Sequence, residues 1–277
     1  MATALVTGGT SGIGAEFARQ LAASGYDLVL VARDQARLKA IADELHAANG
    51  IDVELLPADL SKRTDVDRVA KRLSDQERPI EFLVNNAGFG VHGSLLSEDT
   101  TGLENASDVM VLAVLVLGGA AGRAMKLRGH GTILNVGSTA SFLTMGAYSA
   151  IKSWVHSYSE GLAVELRGTG VNVTVLAPGW VRTEFHQRAG IRTGSIPDFM
   201  WLDAKPLVAT ALKHARRGKV ISIPTVRYGF LMGLLRHAPR RAVRAVSGAV
   251  SSSRNEGEQS AAPVDPNSSV ATTGQEH

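Results

Sequence analysis

The chain predicts an α/β fold: a single domain on a doubly wound, mostly parallel sheet of seven strands. Three observations carry that expectation. Short apolar runs rich in β-branched residues alternate with longer segments of helical period, a glycine cluster stands directly after the first run, and polar residues recur just past later runs. Unbroken apolar strands separated by crossover helices imply a parallel sheet covered on both faces. Such a sheet binds ligands beyond the carboxyl ends of its strands.

Taken in order, strands are expected at 3 to 7, 27 to 31, 51 to 56, 80 to 85, 131 to 137, 171 to 176 and 219 to 224. Each is short, apolar and bounded by turn residues. Helices fall between them, near 12 to 24, 34 to 48, 62 to 77, 100 to 128, 146 to 168 and 205 to 216. Residues 1 to 225 form the nucleotide-binding and catalytic unit, 226 to 250 a basic helical extension, and 251 to 277 a tail rich in Ser, Gly, Pro and Thr with too little apolar surface to order itself.

The composition, 44% hydrophobic and 20% charged over 277 residues, is that of a globular chain with a sizeable core. The absence of cysteine excludes disulfides, thiolate metal sites and cysteine nucleophiles. No HExxH or comparable spacing marks a metal site. The first strand begins at residue 3, which leaves no room for a signal peptide, and no stretch is read as long and apolar enough to span a membrane. A cytoplasmic location is expected, with peripheral membrane contact as a second option.

The glycine cluster is Thr7-Gly8-Gly9-Thr10-Ser11-Gly12-Ile13-Gly14, set between the first strand and the first helix. Glycines there let the backbone turn tightly and approach a pyrophosphate, which the helix amides and dipole attract. The second strand ends at Ala32 and Arg33. A carboxylate at that place would select NAD(H) through the ribose 2′-hydroxyl, and an arginine would hold the 2′-phosphate of NADP(H). Arg33 therefore favours NADP(H) over NAD(H). Asp34 is the competing residue, and its preferred role is the N-cap of the next helix.

Tyr148 and Lys152 lie four residues apart, on one face of a predicted helix. A cation beside a phenol stabilises the phenolate and lowers the tyrosine pKa, which makes a usable proton donor and acceptor.

With these residues in hand the chain resembles the short-chain dehydrogenase/reductase family, in its bacterial NADP-dependent ketoreductase-like branch. The glycine loop, Asp59-Leu60, Asn85-Asn86-Ala87-Gly88, Ser138, Tyr148 and Lys152, and Pro178-Gly179 occur in family order over about residues 3 to 225. The resemblance implies a Rossmann-type fold and an oxidoreductase that interconverts a ketone and a secondary alcohol. It assigns Ser138, Tyr148 and Lys152 to catalysis: Ser138 polarises the carbonyl, Tyr148 is general acid or base, and Lys152 holds the nicotinamide ribose. Cofactor contacts are implied for Gly8, Thr10, Ser11, Gly12, Ile13, Gly14, Arg33, Asp59, Leu60, Asn86, Ala87, Gly88, Tyr148, Lys152, Pro178, Gly179, Val181 and Thr183. Ser141 is a nearby rival to Ser138. A homodimer or homotetramer is implied as well, and a non-catalytic NADP(H)-binding or scaffold protein of the same fold is the alternative.

Two features depart from the family pattern. Met110 stands where many members have an asparagine that holds a water beside the lysine, and a thioether accepts hydrogen bonds only weakly. Gly118, Gly119 and Gly122 weaken the helix that carries Met110 unless close packing requires them. Asn135 is read as a strand residue and no substitute for the missing asparagine.

The segment from Thr183 to Lys205 corresponds to the family's mobile lid and holds Phe185, Ile191, Ile196, Phe199, Met200 and Trp201, with Trp180 just before. Apolar walls suit a small hydrophobic carbonyl, ketoacyl or alcohol substrate; packing of the lid on the body accounts for the same residues. Residues 227 to 250 combine apolar residues with Arg236, Arg240, Arg241 and Arg244. This pattern fits a helix packed on the body with solvated arginines; it also fits contact with an anionic membrane or an acidic carrier protein. No nucleic acid is expected, since stacking aromatics do not accompany the arginines.

Overall fold

The computed structural model describes residues 2–91, 94–183, 197–245 and 247–248. Its strands are β1 (Thr3–Thr7), β2 (Asp27–Ala32), β3 (Val53–Pro57), β4 (Ile80–Asn85), β5 (Gly131–Val136), β6 (Val171–Leu176), β7 (Trp180–Val181), β8 (Trp201–Leu202) and β9 (Ile221–Ser222). Seven form one sheet in the order β3-β2-β1-β4-β5-β6-β9, with every pairing parallel. The short pair β7 and β8 forms a separate ribbon. The winding direction reverses between β1 and β4, which opens a crevice at their carboxyl ends.

Alternation along each strand divides the core into two layers. Ala4, Val6, Leu28, Leu30, Phe82 and Val84 face Phe17 and Leu21 of α1 (Gly12–Ala23), Leu38 and Leu45 of α2 (Gln35–Asn49), and Leu207 and Leu212 of α7 (Ala204–Arg216). On the other face Leu5, Val29, Leu83 and Ile133 meet Val66 and Leu73 of α3 (Arg63–Leu73), and Leu117 and Met125 of α5 (Ala113–Arg128). Three further helices are α4 (Thr101–Ser107), α6 (Gly146–Glu165) and α8 (Val226–His237).

Several elements differ from the expected bounds. The last strand shortens to Ile221–Ser222, held by Val175 N to Val220 O (2.7 Å) and Ala177 N to Ser222 O (2.8 Å), and Pro224 has no amide with which to extend it. α3 ends at Leu73, because the Ser74 hydroxyl turns back to Ala70 O and Asp75 caps the amides of Glu77 and Arg78. The expected helix over 100 to 128 is continuous from Thr101 to Arg128 but widens to a π-turn at Asp108–Leu112. Contrary to the sequence reading, that helix is long and apolar enough to cross a membrane by length and composition. Burial of most of its apolar stretch against the sheet and α3 makes it a core helix.

Close packing accounts for one of its glycines. A Cβ on Gly118 would lie 2.5 Å from the Tyr158 hydroxyl of α6, whose ring stacks on Trp154 at 4.9 Å between centroids. A Cβ on Gly122 would meet Leu166 at an ordinary 3.5 Å. Gly122→Ala should therefore raise stability by up to about 1 kcal/mol through helix propensity, whereas Gly118→Ala should lower it. Thermal unfolding of the two variants beside the parent checks the opposite signs.

Candidate functional site

The proposed cofactor and catalytic residues lie at the carboxyl ends of six adjacent strands. The glycine loop follows β1, Arg33 follows β2, Asp59 and Leu60 follow β3, Asn86 to Gly88 follow β4, Ser138 follows β5, and Pro178 and Gly179 follow β6. Lys152 reaches in from α6.

The β1 loop is built for close approach. Gly8 and Gly12 have φ of 65° and 54°, a left-handed conformation that glycine adopts without strain. A Cβ on Gly14 would collide with the Gly8 carbonyl and the Asn86 amide, so only glycine lets α1 start here. The Asn86 side chain donates to Thr7 O (3.0 Å) and Gly8 O (3.3 Å), and the Thr7 hydroxyl accepts from the amides of Asn86 (2.9 Å) and Ala87 (3.0 Å). Thr7, whose position in the chain suggests no role of its own, thus ties the β1 and β4 ends together. Across the loop, Thr183 Cβ lies 3.4 Å from where a Gly12 Cβ would be. The result is a cradle of backbone with little room for side chains.

At the end of β2 the two charged residues separate in role. Asp34 accepts from Arg37 N at 3.0 Å and caps α2 as expected. Arg33 is exposed, and its charge reaches Asp59. Burial raises the Asp59 carboxyl pKa, but hydrogen bonds from the Ser61 hydroxyl and amide, with the charges of Arg33 and Lys62, outweigh it and hold the group below its ordinary value. Asp59 N donates to Asp65 at 2.7 Å, and Leu60 is buried, so this wall is fixed from both sides.

The catalytic candidates sit around the end of β5. Ser138 begins a 3-10 turn (Thr139–Phe142), its hydroxyl accepting from Ala140 N at 3.1 Å. Ser141, the rival, donates to Ser138 O at 2.8 Å and serves the same turn. Lys152 is 5% exposed; its ammonium donates to Val136 O at 3.0 Å and lies 5.8 Å from the centre of the Tyr148 ring. Burial pulls the Lys152 pKa down from 10.5 to about 8. Met110 is buried in the π-turn with Ile151 and Tyr148, and its sulfur would lie 3.0 Å from a Cβ on Gly88. It fills apolar space between cofactor loop and catalytic helix. Asn135 is fully buried between Asn85 (2.9 Å) and Ser159 (2.9 Å), so its amide serves the core.

The loop after β6, where the family resemblance implies the nicotinamide end, holds a residue that sequence reasoning missed. Tyr228 of α8 is 4% exposed and packs where a Cβ of Gly179 would be. Its hydroxyl accepts from Trp180 N (3.3 Å) and donates to Met200 O (2.7 Å). Ser247 accepts from Thr144 N at 3.0 Å, a second tie between the extension and the loop before Tyr148. Gly179 offers no clue in the sequence to its partner, because the contact spans 49 positions. Val181 is buried in the ribbon with Leu202, and Pro178 O accepts from Thr139 N at 2.9 Å. Of the expected lid, Phe185, Ile191 and Ile196 lie outside the described residues. Phe199 is exposed, and Trp201 is tilted against Trp180 at 6.1 Å.

Linkage turns the Lys152 shift into a stability effect. Below about pH 8 the lysine is charged in both folded and unfolded chains and the cost of burying it is present in full; between about 8 and 10.5 the folded chain releases its proton first, so stability rises with pH. Lys152→Met should then be more stable than the parent by roughly 3 kcal/mol at neutral pH, the gain fading between about pH 8 and 10.5 and absent above that. Denaturant unfolding across that range checks it.

The comparisons with known proteins agree with this geometry. Residues 2–192 match the family model described as short chain dehydrogenase. The chain is 37% identical over 216 residues to a galactitol 2-dehydrogenase (L-tagatose-forming) of Cereibacter sphaeroides, covering 74% of this chain and 81% of that protein. A short-chain dehydrogenase from Sphingobium yanoikuyae, solved in complex with NADPH, superposes with a TM-score of 0.77 at 33% identity, over 98% of this chain and 99% of that one. The bulky-bulky ketone specific alcohol dehydrogenase from Comamonas testosteroni gives 0.73 at 28% identity, over 98% and 97%. Parallel sheet, glycine cradle and family match converge: the chain belongs to the short-chain dehydrogenase/reductase family of oxidoreductases.

Proposed function

We propose that the protein interconverts a hydrophobic ketone and a secondary alcohol with NADP(H), using Tyr148 as general acid and base. The observation that carries this reading is the buried Lys152 ammonium on the same helix face as Tyr148, bonded to the carboxyl end of β5. A buried cation is costly, and stabilising a phenolate gives it a reason to be there.

The cradle suits a dinucleotide: Gly8 and Gly12 turn the backbone with positive φ at the start of α1, and Gly14 admits no side chain. Arg33 would hold the 2′-phosphate, a role supported by its exposure and by the diversion of Asp34 to capping. When bound, the reduced nicotinamide supplies the hydride. Negative charge then develops on the substrate oxygen, where the Ser138 hydroxyl donates a hydrogen bond and Tyr148 delivers the proton. Lys152 favours the resulting phenolate and is positioned to hold the ribose. In oxidation the same phenolate takes the proton back. A substrate with apolar flanks is supported by Trp180, Met200 and Trp201 at the nicotinamide end. The ketone and alcohol chemistry of the Comamonas and Cereibacter relatives supports the interconversion itself. Exposed Leu112 and Leu115 beside the π-turn support assembly as a homodimer or homotetramer.

Tyr148→Phe should abolish turnover of a ketone panel while NADPH titration by fluorescence stays within about twofold; retained turnover would sink the assignment. Arg33→Ala should weaken NADPH roughly ten- to a hundredfold and leave NADH nearly unchanged, as loss of charge-assisted bonds to phosphate requires. Equal losses for both cofactors would remove the phosphate role.

A further inference from the structure

Helix α8 is apolar on both of its faces. Tyr228 and Met232 turn inward and are 4% exposed each. On the outer side Val226, Phe230 and Leu234, one turn apart, are 91%, 71% and 56% exposed. Phe230 and Leu234 line an open groove with Gly233 and Ala238. A helix that simply covers a core turns polar residues to water along its length, whereas between Arg227 and Arg236 the exposed side chains of this one are Phe230, Leu231 and Leu234.

The stretch of chain that carries this stripe is basic. Arg227, Arg236, Arg240, Arg241 and Arg244 are all exposed, and no acidic residue occurs between Ala204 and Gly248. Residues 240–245 are helical, and the buried Val243 and Ser247 anchor that segment on the body, so its exposed arginines follow α8 directly along the chain.

We infer that the outer face of α8 docks on a bilayer surface that carries anionic lipid, with Val226, Phe230 and Leu234 entering the headgroup boundary and the arginines facing lipid phosphates. Apolar and basic groups on one exposed surface are the two attractions that hold a helix in that interface. An acidic protein would answer the arginines but leave the large apolar stripe without a counterpart. A second copy of this chain would answer the stripe but bring two basic faces together. Because the inward side of the same helix holds Gly179 and Met200, docking would set the nicotinamide end of the cleft close to the lipid. Membrane docking depends on this surface alone and stands or falls separately from the reaction proposed above.

The test is co-sedimentation of the full chain with vesicles of phosphatidylcholine alone, and of phosphatidylcholine with one part in three phosphatidylglycerol. Binding is expected to the anionic vesicles only, with release at high salt. The pair Phe230→Ser with Leu234→Ser, and separately Arg240→Glu with Arg241→Glu, should each weaken it at least about fivefold. Circular dichroism of each variant confirms that it is folded. Equal binding to both vesicles, or binding to neither, overturns the inference. So does a Phe230→Ser, Leu234→Ser variant that changes oligomeric state by light scattering while vesicle binding persists.

Discussion

The reversal of winding between β1 and β4, and the contact that locks it, govern everything else in this molecule. At that point α1 begins against the Gly8 carbonyl and the Asn86 amide, with only the α-carbon of Gly14 between them. The Thr7 hydroxyl gathers the amides of Asn86 and Ala87 on the same spot. Backbone groups at two strand ends are thereby satisfied by the side chains of Thr7 and Asn86. Register carries this placement outward. Because all seven strands run parallel, fixing the β1 end also fixes where Arg33, Asp59, Ser138 and Pro178 emerge.

Against that rigid floor, the catalytic helix contributes one costly group. The Lys152 ammonium has left water for a single backbone carbonyl, Val136 O, and burial lowers its pKa accordingly. Met110 on the other side of the site is apolar and tightly seated between Gly88 and Ile151. Tyr148 thus has an apolar neighbour in Met110 and a cationic one in Lys152.

Much of this architecture is legible in the sequence, for identifiable reasons. Local chemistry marks strand ends: glycines after β1, Asp34 before α2 and the Tyr148 and Lys152 spacing each follow from short-range rules, and the fold gathers them in one crevice. What stayed hidden depends on distant partners. Gly118 is required by a tyrosine forty positions later, Gly179 by Tyr228, and the apolar helix 101–128 by a sheet that covers it. Composition alone gives such a helix the look of a membrane span, since only tertiary contact separates the two. Ser247, in a segment with no motif at all, closes the loop before Tyr148 through one hydrogen bond.

Tyr228 bears on where the folding unit ends. A boundary near residue 225 follows the family motif, but the amide of Trp180 has its hydrogen bond to the Tyr228 hydroxyl, and the carbonyl of Met200 is held by the same group. The extension is therefore tied to the strand-end loops through the Tyr228 hydroxyl, and undocking α8 would take that partner from the Trp180 amide and the Met200 carbonyl together. In this chain α8 is a clasp on the loops that follow β6.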